Sequence, residues 1–170
     1  DELVRAEARM AVFRAVAIYG HYAGEVLLTA VRGSQTECDQ YVRRFLEAKF
    51  LKHANLMAVL NAGEADVQGI HFAFVVTEPA GSTLQQEETL DRDSAWLLAR
   101  DVVAGLGYLH SESLVYCALR PETIWRVRRR WKLGDYPELR LAGTGRAGGT
   151  RAIVGRQPGV PPEAVEGLVA

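Results

Sequence analysis

The feature that most constrains this chain is a helical apolar repeat running directly into a short apolar strand and a proline-pinned loop. Ala95, Leu98, Ala99, Val102, Leu106 and Leu109 recur at i, i+3, i+4 and i+7 spacing, which puts them on one face of a helix. Asp91 or Asp93 offers the capping oxygen at its start. The repeat ends in Tyr108-Leu109-His110, Leu114-Val115-Tyr116 follows as a strand, and Leu119-Arg120-Pro121-Glu122 forms a loop in which proline fixes φ.

The 170 residues are 48% hydrophobic, enough for one packed domain or two small lobes. Lys and Arg total 20 against 21 Asp and Glu, a net charge of −1, and the signs are interspersed. Such a balance gives no field favouring nucleic acid or an anionic membrane. The basic run from Arg126 to Lys132 is a local exception and reads as a solvated hairpin turn rather than a phosphate or nucleic-acid site. Cys38 and Cys117 belong to no Cys-x-x-Cys pair, which argues against a disulfide framework or a zinc site. No apolar run approaches the roughly 20 residues of a membrane-spanning helix, and the first residues lack a signal-peptide pattern. The expected location is the cytoplasm.

Taken in order, Asp1 to Arg9 is charged and alanine-rich and more helix-like than strand-like. Met10 to Tyr19 and Glu25 to Arg32 are expected as strands of a hairpin turning at His21 to Gly24. Thr36 and Asp39 offer caps for an amphipathic helix with Val42, Phe45, Leu46 and Phe50 on its apolar side, ending near His53. Leu56 to Leu60 and Ile70 to Thr77 are expected to pair as another hairpin, with the polar segment Gly63 to Gly69 between them. Pro79-Ala80-Gly81-Ser82 is the candidate linker, dividing the chain into 1–78 and 79–170. After the central loop come the strand-like Trp131-Lys132-Leu133 and a glycine-rich run from Gly143 to Gly159, too poor in apolar residues to be held firmly. The expected class is α+β.

The order strand, strand, helix, strand, strand, linker, long helix, loop resembles the eukaryotic-like protein kinases. Their catalytic loop, His-Arg-Asp-Leu-Lys-Pro-Glu-Asn, follows a helix ending in Tyr-Leu-His, and Tyr116 to Thr123 stand in its place. His53-Ala54-Asn55-Leu56 resembles the family's His-Pro-Asn-Ile, Leu133-Gly134-Asp135-Tyr136-Pro137 its Asp-Phe-Gly segment, and Pro162-Glu163 the end of its Ala-Pro-Glu. The resemblance covers Val12 to about Glu163 and implies an antiparallel-sheet N-lobe of five strands and one helix, followed by a partial helical C-lobe. A composition rich in Ala, Arg, Gly and Val points to a high-GC bacterium.

The same resemblance implies that the catalytic parts are degraded. The glycine positions that would let backbone N–H groups reach phosphate fall on Arg5, Glu7 and Met10. Thr29 stands for the phosphate-neutralising lysine, and Glu47, the counterpart of its helix partner, reads as a surface or capping charge. Arg32, nearby in sequence, points to the opposite sheet face. Val76, Thr77 and Glu78 match the segment that holds adenine, and Pro79 brings no N–H there. Ala118 replaces the aspartate base, Cys117 the preceding arginine and Thr123 the metal-binding asparagine. Cys117 has no histidine partner in the pattern and reads as a structural thiol. Asp135 survives as a magnesium ligand, although one carboxylate makes a weak site; Pro137 stiffens what is a flexible glycine in the family. Arg120 and Glu122 keep the family's charge types.

Phosphoryl transfer depends on positioning and charge neutralisation. The expectation is therefore a pseudokinase acting as a regulatory or scaffolding protein-binding module. It needs no cofactor, with ATP and magnesium bound weakly if at all. Its expected partner is a protein, such as an active kinase or a phospho-recognition domain, with Thr144 and Thr150 as candidate phosphorylation marks. A homo-oligomer is also compatible with the apolar helix, and neither nucleic acid nor membrane is expected. One rival is an atypical nucleotide-binding kinase recruiting Arg32 or Arg120. Another is an unrelated small α+β module, which would lack a five-stranded sheet packed on the Val42 to Phe50 helix.

Overall fold

A computed structural model describes residues 2–6, 8–18, 23–136 and 139–141. The chain divides into two compact units, Asp1–Lys52 with Met57–Gly81, and His53–Leu56 with Ser82–Ala170.

The first unit is a five-stranded antiparallel sheet in the order β1-β2-β3-β5-β4. Its strands are β1 (Glu2–Ala6), β2 (Met10–Ala17), β3 (Gly24–Arg32), β4 (Val59–Val67) and β5 (Ile70–Thr77). Val12, Val26, Leu27, Ala73 and Val75 are buried, as β-branched and aliphatic residues on a half-covered pleat should be. One helix, α1 (Gln35–Ala48), packs on β4 and β5, burying Cys38 and Val42 against Ala73 with Val31 and Ala62 alongside. This α+β arrangement is compatible with a kinase N-lobe. The five-stranded sheet packed on a helix, whose absence would have marked an unrelated module, is present.

Several local expectations are corrected. Residues 2–6 form β1, not a helix, pairing Leu3 with Phe13 and Arg5 with Val12. A segment that short cannot nucleate a helix alone, and the ladder to β2 satisfies its backbone. The cap of α1 is Ser34 rather than Thr36 or Asp39. Ser34 N–H donates to Glu37 Oε2 at 2.8 Å while Glu37 N–H donates to Ser34 Oγ at 3.4 Å. The Ser34 N–H and then the Ser34 hydroxyl, both donating to the Glu37 carboxylate, with Arg9 beside it, hold that carboxyl below its usual pKa. The helix stops at Ala48, well before His53, so Phe50 lies beyond it and is 83% exposed.

Strand β4 extends through the segment expected to be the connection, and only Gln68 and Gly69 turn, at φ 53° and 78°. Gly63 makes this possible: it lies opposite Phe74, and a Cβ there would sit 2.8 Å from the Phe74 ring. Leu56, expected in that strand, instead bridges to Leu133 in the second unit. Of the first expected hairpin turn, residues 19–22 lie outside the described residues.

The second unit is built on α2 (Arg92–Ser111). Asp91 caps it, accepting the Ser94 N–H at 2.7 Å, and that bond lowers the Asp91 pKa. The buried row is Asp101, Gly105 and Leu109 at i, i+4 spacing. Ala95 and Ala99, assigned to the apolar face by the repeat, are exposed. The row is set by what packs on it: Asn55 and the second strand of a hairpin, β7 (Ile124–Val127) with β8 (Arg130–Leu133). Leu133 N–H donates to Asn55 O at 2.9 Å, and Asn55 Nδ2 donates to Trp131 O at 3.0 Å. A further pair joins β6 (Leu114–Tyr116) to β9 (Leu139–Leu141). Among the described residues no helix is long and apolar enough to cross a membrane.

Candidate functional site

The candidate residues divide between the two units. In the first, Thr29 lies mid-strand in β3, partly buried, with Val12 of β2 and Val75 of β5 as its cross-strand partners. Its place in the sheet is that of a β-branched packing residue, and a hydroxyl carries no charge for phosphate. Glu47 is exposed in the last turn of α1, and Arg32 is exposed at the end of β3. Arg5 belongs to β1 and Met10 to β2, with the Arg5 guanidinium 3.7 Å from the Met10 sulfur; Glu7 lies outside the described residues.

Val76 and Thr77 end β5, opposite Leu28 and Leu27. Glu78 is tied down twice: its N–H donates to Ala58 O at 3.0 Å and its carboxylate accepts the Ala58 N–H at 2.8 Å. With Pro79 lacking an N–H, this segment offers a flat ligand less backbone hydrogen bonding than its position implies.

In the second unit the loop after β6 folds onto its own backbone. Ala118 is 2% exposed and Thr123 is 1% exposed. Thr123 Oγ1 lies 2.5 Å from Ala118 O and 2.9 Å from Arg120 O, and accepts the Arg120 N–H at 3.2 Å. The Thr123 carbonyl in turn accepts the Gly134 N–H at 2.9 Å. A threonine placed this way is a clamp for the turn that Pro121 begins: its hydroxyl proton faces carbonyl oxygens while a lone pair accepts the Arg120 N–H.

Asp135 adopts φ 64°, a left-handed conformation that aspartate tolerates better than most side chains. Its carboxylate lies 3.6 Å from the Arg120 guanidinium. Tyr136, buried beside it, donates to Leu133 O at 3.0 Å. Tyr116 donates its hydroxyl to Gly134 O, and burial pushes its pKa up, so the phenol stays protonated. Cys117 is partly buried, with its thiol directed at Val115 O at a weak 3.9 Å. Pro137 lies outside the described residues, as do Thr144, Thr150, the run from Gly143 to Gly159, and Pro162-Glu163.

The structure thus brings Ala118, Thr123, Arg120 and Asp135 into one loop cluster. It also reveals residues given no role from sequence. Asp101 is 2% exposed and accepts the Trp131 N–H at 3.0 Å. Asn55, also buried, ties the His53–Leu56 segment to β8. The available signal was a carboxylate in line with Gly105 and Leu109. Among the described residues no group of three or more His, Cys, Asp or Glu side chains is placed to hold a metal. The magnesium set fits poorly: one carboxylate already faces a guanidinium, and the candidate hydroxyl is engaged by the backbone.

A curated relative, the serine/threonine-protein kinase PksC of Streptomyces coelicolor, is 26% identical over 114 residues, covering 62% of this chain and 20% of its own length. The chain spans about a fifth of that relative's length. No protein-family model matches. The chain has a distant kinase-like similarity to that protein.

Proposed function

We propose that this chain is a catalytically inactive protein-kinase-like domain, a pseudokinase, that serves as a regulatory or scaffolding module by binding another protein. The observation that carries this reading is the closed loop from Ala118 to Thr123. Where a base should meet the incoming hydroxyl there is a buried methyl group, and where a metal ligand should project there is a hydroxyl held by Ala118 O and Arg120 N–H. Thr29 adds the loss of the phosphate cation. Losses of this kind act on positioning and charge together and remove several powers of ten in rate.

The rival, a nucleotide-binding kinase with relocated groups, would draw on Arg120 or Arg32. Arg120 lies against Asp135, so recruiting it for phosphate would take the counter-charge from that carboxylate. The partner class remains protein, an active kinase or a phospho-recognition domain; Trp96 and Val103, both 68% exposed on α2, also offer apolar surface to a second copy. Incubation with radiolabelled ATP and magnesium tests the proposal. No label should pass to the chain or to a test polypeptide, and ATP with magnesium should raise the melting temperature no more than ATP alone. Transfer that disappears in Asp135→Ala would overturn it.

A further inference from the structure

The second unit carries a concentrated charge that the proposed function does not use. Between Ile124 and Gly134 stand Arg126, Arg128, Arg129, Arg130 and Lys132, without one Asp or Glu, in a chain whose net charge is −1. Arg128, Arg129 and Arg130 are exposed, and none is in an ion pair among the described residues. Neighbouring guanidiniums repel one another, and this hairpin keeps Arg128, Arg129 and Arg130 together at its exposed tip.

The backbone adds an independent observation. Val127 pairs with Arg130, so Arg128 and Arg129 are the two turn residues, and Arg128 adopts φ 56°. A positive φ at the first residue of a two-residue hairpin turn is where glycine is favoured. An arginine there is held in a conformation costly for a long side chain, and such outliers point toward function.

The base of the hairpin is rigid. Trp131 and Leu133 are fully buried; Trp131 N–H is held by Asp101 at 3.0 Å, Trp131 O by Asn55 at 3.0 Å, and Arg126 N–H by Ser82 O at 2.8 Å. The Arg126 guanidinium stacks 5.2 Å from the centre of the Trp131 ring. The cations are therefore presented on a preorganised support, which lowers the ordering cost of binding.

From these features we infer that the β7–β8 hairpin is a docking finger for an acidic segment of a partner protein, its arginines forking onto carboxylate or phosphate oxygens. Nucleic acid is the poorer fit: Trp125 and Trp131 are buried and offer no stacking platform, and the rest of the chain adds no extended basic field. The inference names a surface for the partner proposed above but does not require loss of catalysis. Phosphate transfer would overturn the earlier proposal and leave this one standing, and loss of peptide binding would do the reverse.

Fluorescence anisotropy on the full chain tests it with four labelled probes: a hexaglutamate peptide, a phosphothreonine peptide in a neutral background, oligo-dT, and vesicles containing phosphatidylserine. Saturable binding of at least one peptide is expected, tightest at low salt. The double variant Arg128→Gly/Arg129→Ser should weaken it by about tenfold or more while keeping or raising the melting temperature, because glycine relieves the turn. The preferred peptide identifies the oxyanion. Equal binding by the variant, saturation by neither peptide, or tighter binding of oligo-dT or vesicles than of both peptides would overturn the inference.

Discussion

Asp101, buried in the middle of α2, accepts the backbone N–H of Trp131 at 3.0 Å and so fixes β8 to the helix. Its second oxygen takes two bonds from Arg100, at 3.0 and 3.2 Å, which supplies the counter-charge from the helix's own surface. Asp101→Ala leaves a buried N–H without an acceptor and a guanidinium without its partner. The expected loss is about 2–4 kcal/mol in urea denaturation. Asp101→Asn keeps an acceptor in place and should cost about 1 kcal/mol.

Gly105 lies one turn further along the same row. A Cβ there would meet Asn55 O at 3.0 Å and Leu133 Cδ1 at 3.2 Å, and the first of these is backbone. Helix propensity alone would make Gly105→Ala stabilising by about 1 kcal/mol. Crowding against Asn55 should outweigh this and leave the variant about 1–2 kcal/mol less stable. Gly107→Ala is the control: nothing lies within 4 Å of its would-be Cβ, so propensity should prevail and the variant should gain stability.

These two positions show why the sequence was only partly legible. The long helix, its Asp91 cap and the proline-pinned loop could be read because their signals are local: periodicity, a capping oxygen, a fixed φ. The helix face could not, because Asp101 and Gly105 are chosen by what packs on them from distant segments, Asn55 and Trp131. Residues 2–6 look helical by composition, and only the ladder from β2 makes them a strand. The likeness of Tyr116 to Thr123 to a catalytic loop was visible, and so were its departures from that pattern at Tyr116, Cys117, Ala118 and Thr123. That Thr123 turns its hydroxyl onto Ala118 O and Arg120 O was not, since that depends on the fold of the loop itself.

His71 on β5 sits between two carboxylates of β4, with Nδ1 3.0 Å from Asp66 and Nε2 2.8 Å from Glu64. From α1 the neutral amide of Gln35 reaches this group, 3.5 Å from Glu64. Bonds to Asp66 first and Glu64 second favour the doubly protonated ring and raise its pKa above 6.5. A raised folded-state value stabilises the protein fully below the unfolded pKa, provided the carboxylates remain ionised. It is lost as pH rises through the folded value. Melting temperature should therefore fall from pH 6 toward pH 8 in the parent chain. In His71→Gln this fall should be smaller; equal slopes would remove the effect.

Thr123 distinguishes a structural clamp from a vestigial metal ligand. Thr123→Val keeps the shape but leaves the Arg120 N–H without its 3.2 Å acceptor and Ala118 O without its donor, at an expected cost of about 1–3 kcal/mol. Thr123→Ser keeps the hydroxyl and removes one buried methyl group, costing about 1 kcal/mol. If the hydroxyl serves the loop, the valine variant is the less stable of the two and its Arg120 amide exchanges hydrogen faster, while magnesium changes the melting temperature of neither. A metal ligand would give the opposite signature. Magnesium would stabilise the parent and the serine variant but not the valine variant, and exchange at Arg120 would be unaltered, because the hydroxyl would then point away from the peptide groups it now holds.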